Sequence, residues 1–200
     1  DADFAYTVDG ALLGGVEYEN FNAAGSEVTV NGQSVHPGAA KNQMKNANTI
    51  AMEFHSLLPL EQKPEYTEGY EGFYFLRGME GSVEKASLHY MLRDHDKEKF
   101  EQKKAMMDKA AAFLNEKYGP GTVQVETTDM YRNMREKIEP EFHLVQAVLD
   151  AMEELGVKPV VTPIRGGTDG AELTYKGLLC PNFCTGGTNF HGRFETVSIQ

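Results

Sequence analysis

The order of apolar-patterned segments between about residues 16 and 130 constrains the fold more than any other feature of this 200-residue chain. Short segments in which apolar and polar residues alternate predict β-strands, and two longer segments with apolar residues at helical spacing predict α-helices. The predicted elements follow one another as one or two strands, a helix, two strands, a helix and a strand. That order is the split βαβ arrangement of a ferredoxin-like α+β sandwich.

Turn and stop signals set the limits of these elements. Pro59 ends the first predicted helix, at about residues 41–58, because proline cannot continue a helix. Gly119-Pro120-Gly121 ends the second predicted helix, at about residues 96–118. The predicted strands of this region lie at about residues 17–21, 27–30, 73–76, 87–93 and 123–125.

The segments on either side of this region predict a domain of a different kind. Residues 3–9 are expected to form a buried strand that ends in the carboxylate of Asp9. Downstream, helices alternate with strands, which is typical of an α/β domain. The downstream elements are a helix at about residues 141–155, a strand at 157–162, a helix at 168–175 and a strand at 178–184. We therefore expect an α/β domain built from residues 1–15 and 131–200, interrupted by a second domain at residues 16–130.

Composition argues against several classes of partner. The formal net charge of −11 disfavours nucleic acid and anionic membrane surfaces, which attract basic proteins. No apolar stretch approaches the roughly 18 residues that a membrane-spanning helix needs. The chain begins with Asp1 rather than Met, so we expect that the native N-terminus is absent.

The cysteines, Cys180 and Cys184, indicate a reducing compartment. On an extended strand they would lie roughly 13 Å apart, which is too far for a disulfide bond. Two thiolates alone also cannot complete a structural zinc site. We therefore predict reduced, buried thiols in a cytosolic protein.

The segment from Arg165 to Gly170 has the highest density of residues suited to ligand binding. Its glycines would let the backbone approach a ligand closely, and a helix N-terminus together with Arg165 would favour a carboxylate. A phosphate-binding P-loop is excluded because no Lys-Ser/Thr pair follows the glycines. The same residues also fit a simple glycine turn in which Thr168 caps the helix.

Other candidates are single residues, each with two interpretations. Asp9 ends a strand, where α/β proteins collect ligands, but where a solvated carboxylate also fits. His191, in a glycine-flanked loop, suits a metal ligand or an acid–base group, or neither. His36, held by the following proline, is either an oxyanion donor or a surface histidine. Arg93 and Asp94 at a strand end also fit an edge ion pair.

Several longer motifs, taken together, resemble the tripeptide aminopeptidases of the binuclear zinc exopeptidase family. That family is related to carboxypeptidase G and succinyl-diaminopimelate desuccinylase. The motifs occur in the family's order and run through essentially the whole chain, at residues 6–10, 17–24, 35–38, 68–73, 163–171, 180–182 and 185–187. The resemblance implies an α/β catalytic domain interrupted by a ferredoxin-like lid, which also makes a homodimer. It also implies a cytoplasmic enzyme that hydrolyses the N-terminal peptide bond of tripeptides.

The resemblance also implies roles for individual residues. Asp9 matches a carboxylate ligand of one zinc ion, and His191 matches a ligand of the other. His36 matches the catalytic lid histidine that reaches the site of the partner subunit and stabilises the oxyanion. In such an enzyme two zinc ions per subunit would generate hydroxide and polarise the scissile carbonyl, while a glutamate would transfer the proton.

Substrate recognition is implied for a second group of residues. Arg93 and Arg165 are similar to positions that receive the substrate carboxylate, together with the turn formed by Gly166, Gly167 and Thr168. An enzyme that measures tripeptides must recognise their C-terminal carboxylate, which gives this turn a physical purpose.

The chain also departs from the family pattern. The family's upstream His-x-Asp segment, bridging aspartate and Glu-Glu pair have no match here and would precede residue 1, and its final helix would follow residue 200. We therefore expect the C-terminal half to two-thirds of such an enzyme, without a fully bound zinc pair and without activity in isolation. Two alternatives stay open: a non-catalytic dimerisation fragment, and a related metallo-exopeptidase or deacylase acting on other acylated amino acids.

Overall fold

The structure is a computed structural model that describes residues 2–198. Ten β-strands lie within these residues: β1 (Thr7–Val8), β2 (Gly15–Glu17), β3 (Asn22–Asn31), β4 (Phe73–Gly81), β5 (Lys85–Asp94), β6 (Val123–Tyr131), β7 (Val160–Val161), β8 (Asn182–Phe183), β9 (Gly187–Thr188) and β10 (Thr196–Val197).

Five α-helices lie in the same described part of the chain: α1 (Ala47–Ser56), α2 (Lys97–Tyr118), α3 (Arg135–Ile138), α4 (His143–Glu154) and α5 (Asp169–Tyr175). Single turns of 3-10 helix occur at Pro37–Ala39, Pro64–Tyr66 and Glu139–Glu141. No helix among residues 2–198 combines the length and the apolar character needed to cross a membrane.

The described residues divide into two compact units, one formed by residues 2–21 and 131–198 and the other by residues 22–130. The second is called the lid unit below, and the first the α/β unit. The division follows Phe21, later than the predicted boundary at residue 16. The reason is that β2 forms its hydrogen bonds with β7 and β8, which both belong to the α/β unit.

The lid unit has the predicted ferredoxin-like architecture. Its sheet has the order β4-β5-β3-β6, so the first strand in the chain pairs with the third and the fourth. The register of β3 and β5 is antiparallel and continuous from Asn22↔Asp94 to Asn31↔Lys85. Because side chains alternate across a strand, one face of this sheet is apolar and packs against α1 and α2.

Helix α1 begins later than its apolar pattern predicts. Residues 37–39 form a separate 3-10 turn, and Asn46 caps α1 by accepting a hydrogen bond from the N–H of Asn48 at 3.0 Å. The helix proper contributes Ile50 and Phe54 to the core of the lid unit. Its predicted start at residue 41 is therefore wrong, because an effective cap at Asn46 sets the first turn.

The α/β unit contains a four-stranded mixed sheet in the order β1-β8-β2-β7. Strand β1 runs parallel to β8, β2 runs antiparallel to β8, and β2 runs parallel to β7. A small core lies against this sheet and consists of Val16, Met134, Ile138, Val145 and Ala171.

Two predictions about the α/β unit have different outcomes. Residues 3–9 were expected to form a buried strand, but β1 covers only Thr7–Val8 and the Val8 side chain is exposed. The expected burial is wrong, because β1 lies at the edge of its sheet and has β8 as its neighbour on one side. The extended pairing itself reaches beyond β1, since the N–H groups of Ala5, Thr7 and Asp9 donate to carbonyls in residues 179–183. Cys180 and Cys184 are free and buried, as predicted.

Candidate functional site

The turn that begins at Arg165 is fixed by backbone hydrogen bonds to the segment before β3. The N–H of Ile164 donates to the carbonyl of Glu19 at 2.9 Å, and the N–H of Phe21 donates to the carbonyl of Gly166 at 3.3 Å. The Arg165 guanidinium lies over the Phe21 ring, 5.2 Å from its centroid, a cation–π arrangement that holds a charged group near apolar surface. The cation thus has a defined place beside the turn.

Thr168 is the N-cap of α5. Its hydroxyl accepts a hydrogen bond from the N–H of Gly170 at 3.2 Å, which confirms the capping interpretation. The N–H group of Gly170 is therefore already hydrogen-bonded within the protein. Asp169 and Glu172 add negative charge to the first turn of a helix of only seven residues. Attraction for an anion at this turn consequently rests on Arg165 more than on the helix N-terminus.

Gly167 makes a close approach that a side chain would prevent. A Cβ atom at this position would lie 2.9 Å from the ring of Tyr131. A larger residue at position 167 would therefore force the Tyr131 ring to move away from the turn. This packing is a second constraint, besides the backbone hydrogen bonds, on the shape of the turn.

Asn182, on β8, lies behind the turn and is 2% exposed. Its amide oxygen and nitrogen lie 3.1 Å and 2.9 Å from the hydroxyl of Thr168. The same amide oxygen accepts a hydrogen bond from the hydroxyl of Thr7, and the side chain also hydrogen-bonds Glu17. One buried amide thus contacts β1, β2 and the start of α5.

Asp9 follows β1 at the carboxyl edge of the sheet. Its N–H donates to the carbonyl of Phe183 at 3.1 Å, and the carbonyl of Gly10 accepts from the N–H of Thr185 at 2.8 Å. Because β1 and β8 are parallel, both strands end at this edge. The exposed Asp9 side chain and the segment that follows β8 therefore emerge at the same place.

Glu17 is a second carboxyl group close to Asp9. Burial raises the pKa of Glu17 above its usual value, the hydrogen bond with Asn182 lowers it, and the negative charge of Asp9 raises it further. Glu17 was not among the predicted site residues. Its position on a strand was visible in the sequence, but its proximity to Asp9 depends on the pairing of β2 with β8.

His191 lies in the hairpin loop between β9 and β10, which pair in the register Thr188↔Thr196 and Gly187↔Val197. The backbone of His191 is left-handed, with φ of 59°, and its N–H donates to the Glu195 carboxylate at 3.1 Å. The side chain is exposed. This hairpin leaves the sheet at the edge where Asp9 is found, since β9 begins shortly after Thr185.

Residues 2–198 contain no group of three or more His, Cys, Asp or Glu side chains arranged to hold a metal ion. Zinc takes about four protein or water ligands. Asp9 and His191 could each supply one ligand, so each metal would need further donors beyond those that the described residues bring together.

His36 belongs to the lid unit and its side chain is well defined by a local hydrogen bond. The Nδ1 atom accepts from the N–H of Gly38 at 3.1 Å. In the neutral ring the proton is therefore on Nε2, because Nδ1 acts as the acceptor. The exposed imidazole thus presents an N–H donor to its surroundings.

Arg93, also in the lid unit, is 4% exposed. Its guanidinium donates to the backbone carbonyls of Leu92 at 3.0 Å and Ala24 at 3.5 Å. Asp94 forms an ion pair with Lys103 at 3.0 Å. A cavity of about 660 Å³ in the lid unit is lined by this pair and by Tyr66, Tyr70 and Tyr74, among others.

Asp9, Arg165, the Gly166–Thr168 turn and the His191 hairpin all belong to the α/β unit, whereas His36 and Arg93 belong to the lid unit. Asn182 was not among the predicted site residues. The available signal was a polar residue within the otherwise apolar run Leu178–Cys184. A buried amide in such a run needs hydrogen-bond partners from neighbouring elements.

A family model described as the peptidase dimerisation domain matches residues 18–122, which include the helices and three strands of the lid sheet. The match covers more than half of the chain. The chain therefore belongs to the M20 family of peptidases that this dimerisation domain defines.

Within that class the chain is similar to peptidase T over its whole length. It is 56% identical over 199 residues to peptidase T from Alkaliphilus oremlandii, covering 100% of this chain and 49% of that protein. It is 53% identical over 200 residues to peptidase T from Bacillus subtilis, with the same coverage of each protein. The chain thus spans about half the length of these relatives.

Solved structures confirm the fold. The structure of an aminopeptidase from Bacillus cereus matches with a TM-score of 0.80 over 97% of this chain and 52% of that chain, at 22% identity. A tripeptidase from Staphylococcus aureus matches with a TM-score of 0.82 over 98% of this chain and 52% of that chain, also at 22% identity. The predicted fold class, a partial catalytic domain interrupted by a ferredoxin-like dimerisation domain, is confirmed.

Proposed function

We propose that this chain is the lid and part of the catalytic domain of a metal-dependent aminopeptidase that removes the N-terminal residue of tripeptides. The observation that carries the proposal is the edge of the α/β sheet, where Asp9 and the segment leading to the His191 hairpin emerge together. The similarity to peptidase T over the whole chain supports it. The complete enzyme is a cytoplasmic homodimer with two zinc ions per subunit.

Asp9 and His191 each contribute one ligand to the metal centre in this proposal. Their chemistry suits zinc, which binds carboxylate oxygen and neutral imidazole. The described residues do not form a complete zinc site by themselves. In this proposal the remaining ligands come from other parts of the enzyme, and we expect the isolated chain to be inactive.

Arg165 and the turn at residues 166–168 receive the C-terminal carboxylate of the tripeptide. A guanidinium can bind a carboxylate through two hydrogen bonds, which fixes both the position and the orientation of the ligand. The Phe21 ring and the backbone bonds described above hold Arg165 and the turn in place. Arg93 contributes a second positive charge from the lid.

His36 donates a hydrogen bond to the oxyanion that forms on the scissile carbonyl. Its Nε2 proton is available for this because Nδ1 is occupied by the N–H of Gly38. A preorganised donor of this kind stabilises charge that develops only in the transition state. The proposal places this histidine in the site of the partner subunit.

Hydrolysis of trialanine by the complete enzyme containing this chain tests the function. We expect zinc-dependent release of the first alanine, no cleavage of N-acetyl-trialanine, and weaker binding of trialanine amide, which lacks the C-terminal charge. Arg165→Met should raise KM for trialanine by roughly 10- to 100-fold, as expected for loss of a hydrogen bond between charged groups, with little effect on the amide. Preferential cleavage of N-acyl amino acids would instead identify a deacylase.

The isolated 200-residue chain provides the second arm of the test. After refolding with excess zinc it should not cleave trialanine. Turnover at the rate of the complete enzyme would show that the described residues suffice for catalysis. A complete enzyme inactive on peptides and on acyl amino acids would favour the non-catalytic dimerisation module.

A further inference from the structure

The Asn182 side chain is the point where three elements of the α/β unit meet. Its amide oxygen accepts from Thr7 on β1, and its amide group lies 2.9–3.1 Å from the hydroxyl of Thr168 at the start of α5. Glu17 on β2 hydrogen-bonds the same side chain. The backbone register places Asn182 opposite both Thr7 and Glu17.

These contacts connect two parts of the candidate site. Thr7 precedes Asp9 by two residues, so their side chains are separated by roughly 7 Å along the strand. Thr168 ends the turn that begins at Arg165. A single rigid amide therefore joins the strand that carries Asp9 to the turn that carries Arg165.

We propose that Asn182 is a positioning residue that sets the distance between the Asp9 end of β1 and the Arg165–Thr168 turn. This inference rests on the proposed function, in which Asp9 holds a metal ion and the turn receives the substrate carboxylate. The separation of these two points then determines which peptide length fits. A tripeptidase needs this separation to be constant.

Burial of Asn182 makes the arrangement specific. The residue is 2% exposed, so its amide cannot exchange these protein partners for water without opening the structure. Helix α5 also lies very close to β8. A Cβ atom added to Gly170 would lie only 2.7 Å from the Asn182 amide oxygen. Neither the helix nor the strand can shift without breaking the shared hydrogen bonds.

A buried threonine in the same helix offers a matched control. The Thr174 hydroxyl accepts a hydrogen bond from the N–H of Cys180 at 3.0 Å, and Thr174 is 3% exposed. This bond also joins α5 to the segment that leads into β8, but it lies away from the turn. Its loss should weaken the α/β unit without moving Thr168 relative to Thr7.

Hydrogen exchange on the isolated chain tests the positioning role independently of catalysis. Thr7→Val removes the hydroxyl that binds Asn182 while keeping a similar shape, and we expect amide exchange across residues 164–171 to accelerate about tenfold. Asn182→Ala should have the same or a larger effect. Thr7→Ser, which restores the hydroxyl, should return exchange to within about twofold of the wild type. Thr174→Val should lower the Tm and leave exchange in this segment unchanged.

Kinetics of the complete enzyme provide the second readout. The measured quantity is the ratio of KM for trialanine to KM for a tetrapeptide. Thr7→Val and Asn182→Ala should raise this ratio about tenfold, while Thr174→Val leaves it unchanged. The inference is overturned if Thr7→Val and Thr174→Val affect exchange and KM alike, since both would then act only on stability. If the wild-type enzyme cleaves no peptide, the proposed function fails, and the exchange results still decide whether Asn182 positions the turn.

Discussion

At the scale of single residues, Gly170 shows how closely α5 approaches β8. A Cβ atom there would lie 2.4 Å from the Cys180 carbonyl oxygen and 2.7 Å from the Asn182 amide oxygen. Gly170→Ala should therefore destabilise the α/β unit by about 1–3 kcal/mol, the usual cost of overpacking. Urea unfolding monitored by hydrogen exchange of this unit measures the change.

Gly166→Ala is the matched control for Gly170→Ala, because a Cβ atom at residue 166 would meet only the Ile164 methyl group, at 3.9 Å. It should change the free energy of unfolding by less than about 0.5 kcal/mol. Equal effects of the two substitutions would contradict the close approach of α5 to β8.

Residue types that act locally could be predicted from the sequence, whereas those that act across the fold could not. Thr168 was recognisable as an N-cap because the capping bond spans only two residues along the chain. The contacts of Asn182 with Thr7 and Glu17 bridge 175 and 165 positions, respectively. No local pattern specifies such a pairing, so the residue that joins these elements became visible only in the structure.

At the scale of elements, a buried ion pair joins α2 to the end of β5. Lys103 Nζ lies 3.0 Å from the Asp94 carboxylate and 2.7 Å from the Gln62 side-chain oxygen, and the side chains of the pair are 8% and 2% exposed. Lys103→Met should destabilise the lid unit by about 3–5 kcal/mol, because it leaves a buried carboxylate without its cation. Thermal or urea unfolding of the lid unit measures the loss.

A double-substitution cycle separates the ion pair from the packing of the same side chains. Asp94→Asn leaves the Lys103 ammonium buried without its counter-charge and should be destabilising as well. The double variant carries neither charge, so we expect it to be more stable than the sum of the single effects by about 1–3 kcal/mol. Simple additivity would mean that the two charges do not interact.

A hydrogen bond between His55 Nδ1 and the Tyr90 hydroxyl, 3.0 Å long, joins α1 to β5. Burial lowers the pKa of His55 below its ordinary 6.5, and the charge of Lys63 lowers it further, whereas Glu65 opposes this. The unfolded chain therefore binds more protons than the folded one near pH 6.5. The stability of the folded chain with neutral His55 is therefore present in full above pH 6.5. It should decrease as the pH falls below 6.5, where the unfolded chain takes up a proton more readily.

His55→Asn isolates this contribution, because asparagine keeps a hydrogen-bonding group but does not titrate. The free energy of unfolding of the wild type should fall more steeply between pH 7.5 and 5.5 than that of the variant. Parallel pH profiles for the two proteins would show that His55 keeps its ordinary titration in the folded state.

The limits of α2 were predictable, because its cap and its stop signal lie at the two ends of its apolar pattern. Helix α2 follows its prediction closely, because Asp96 accepts from the N–H of Lys99 at 2.8 Å and Gly119 ends the helix with φ of 104°. Strand β1 is shorter than predicted, since its length depends on how far β8 runs beside it.

At the scale of the whole molecule, the order of strands and helices in the lid unit was predictable, because each element has its own periodicity. Of the two limits between the units, the one after residue 130 agrees with the prediction, but the one before β3 does not. It depends on β2, which pairs with β7 through Gly15↔Val160 and Val16↔Val161, far along the chain. A periodic pattern identifies an element but not its distant partner.

The position of His36 in the proposed dimer can be tested by mixing two inactive complete enzymes. A His36→Ala subunit keeps Asp9 but lacks the proposed oxyanion donor, and an Asp9→Ala subunit keeps His36 but lacks the proposed metal ligand. If His36 acts across the dimer, each mixed dimer contains one site with both groups intact and one site with neither. Random mixing makes half of the dimers mixed, so denaturing and refolding the two together should restore roughly a quarter of the wild-type activity.

The same mixture gives the opposite result if His36 serves its own subunit. Every site would then lack one essential group, and activity would stay at the level of the separate variants. Refolding each variant alone provides the baseline, and a mixture of His36→Ala with His36→Gln provides a control in which no pairing can restore the histidine. Restored activity therefore indicates a site shared between two subunits, and activity at the baseline indicates two independent sites.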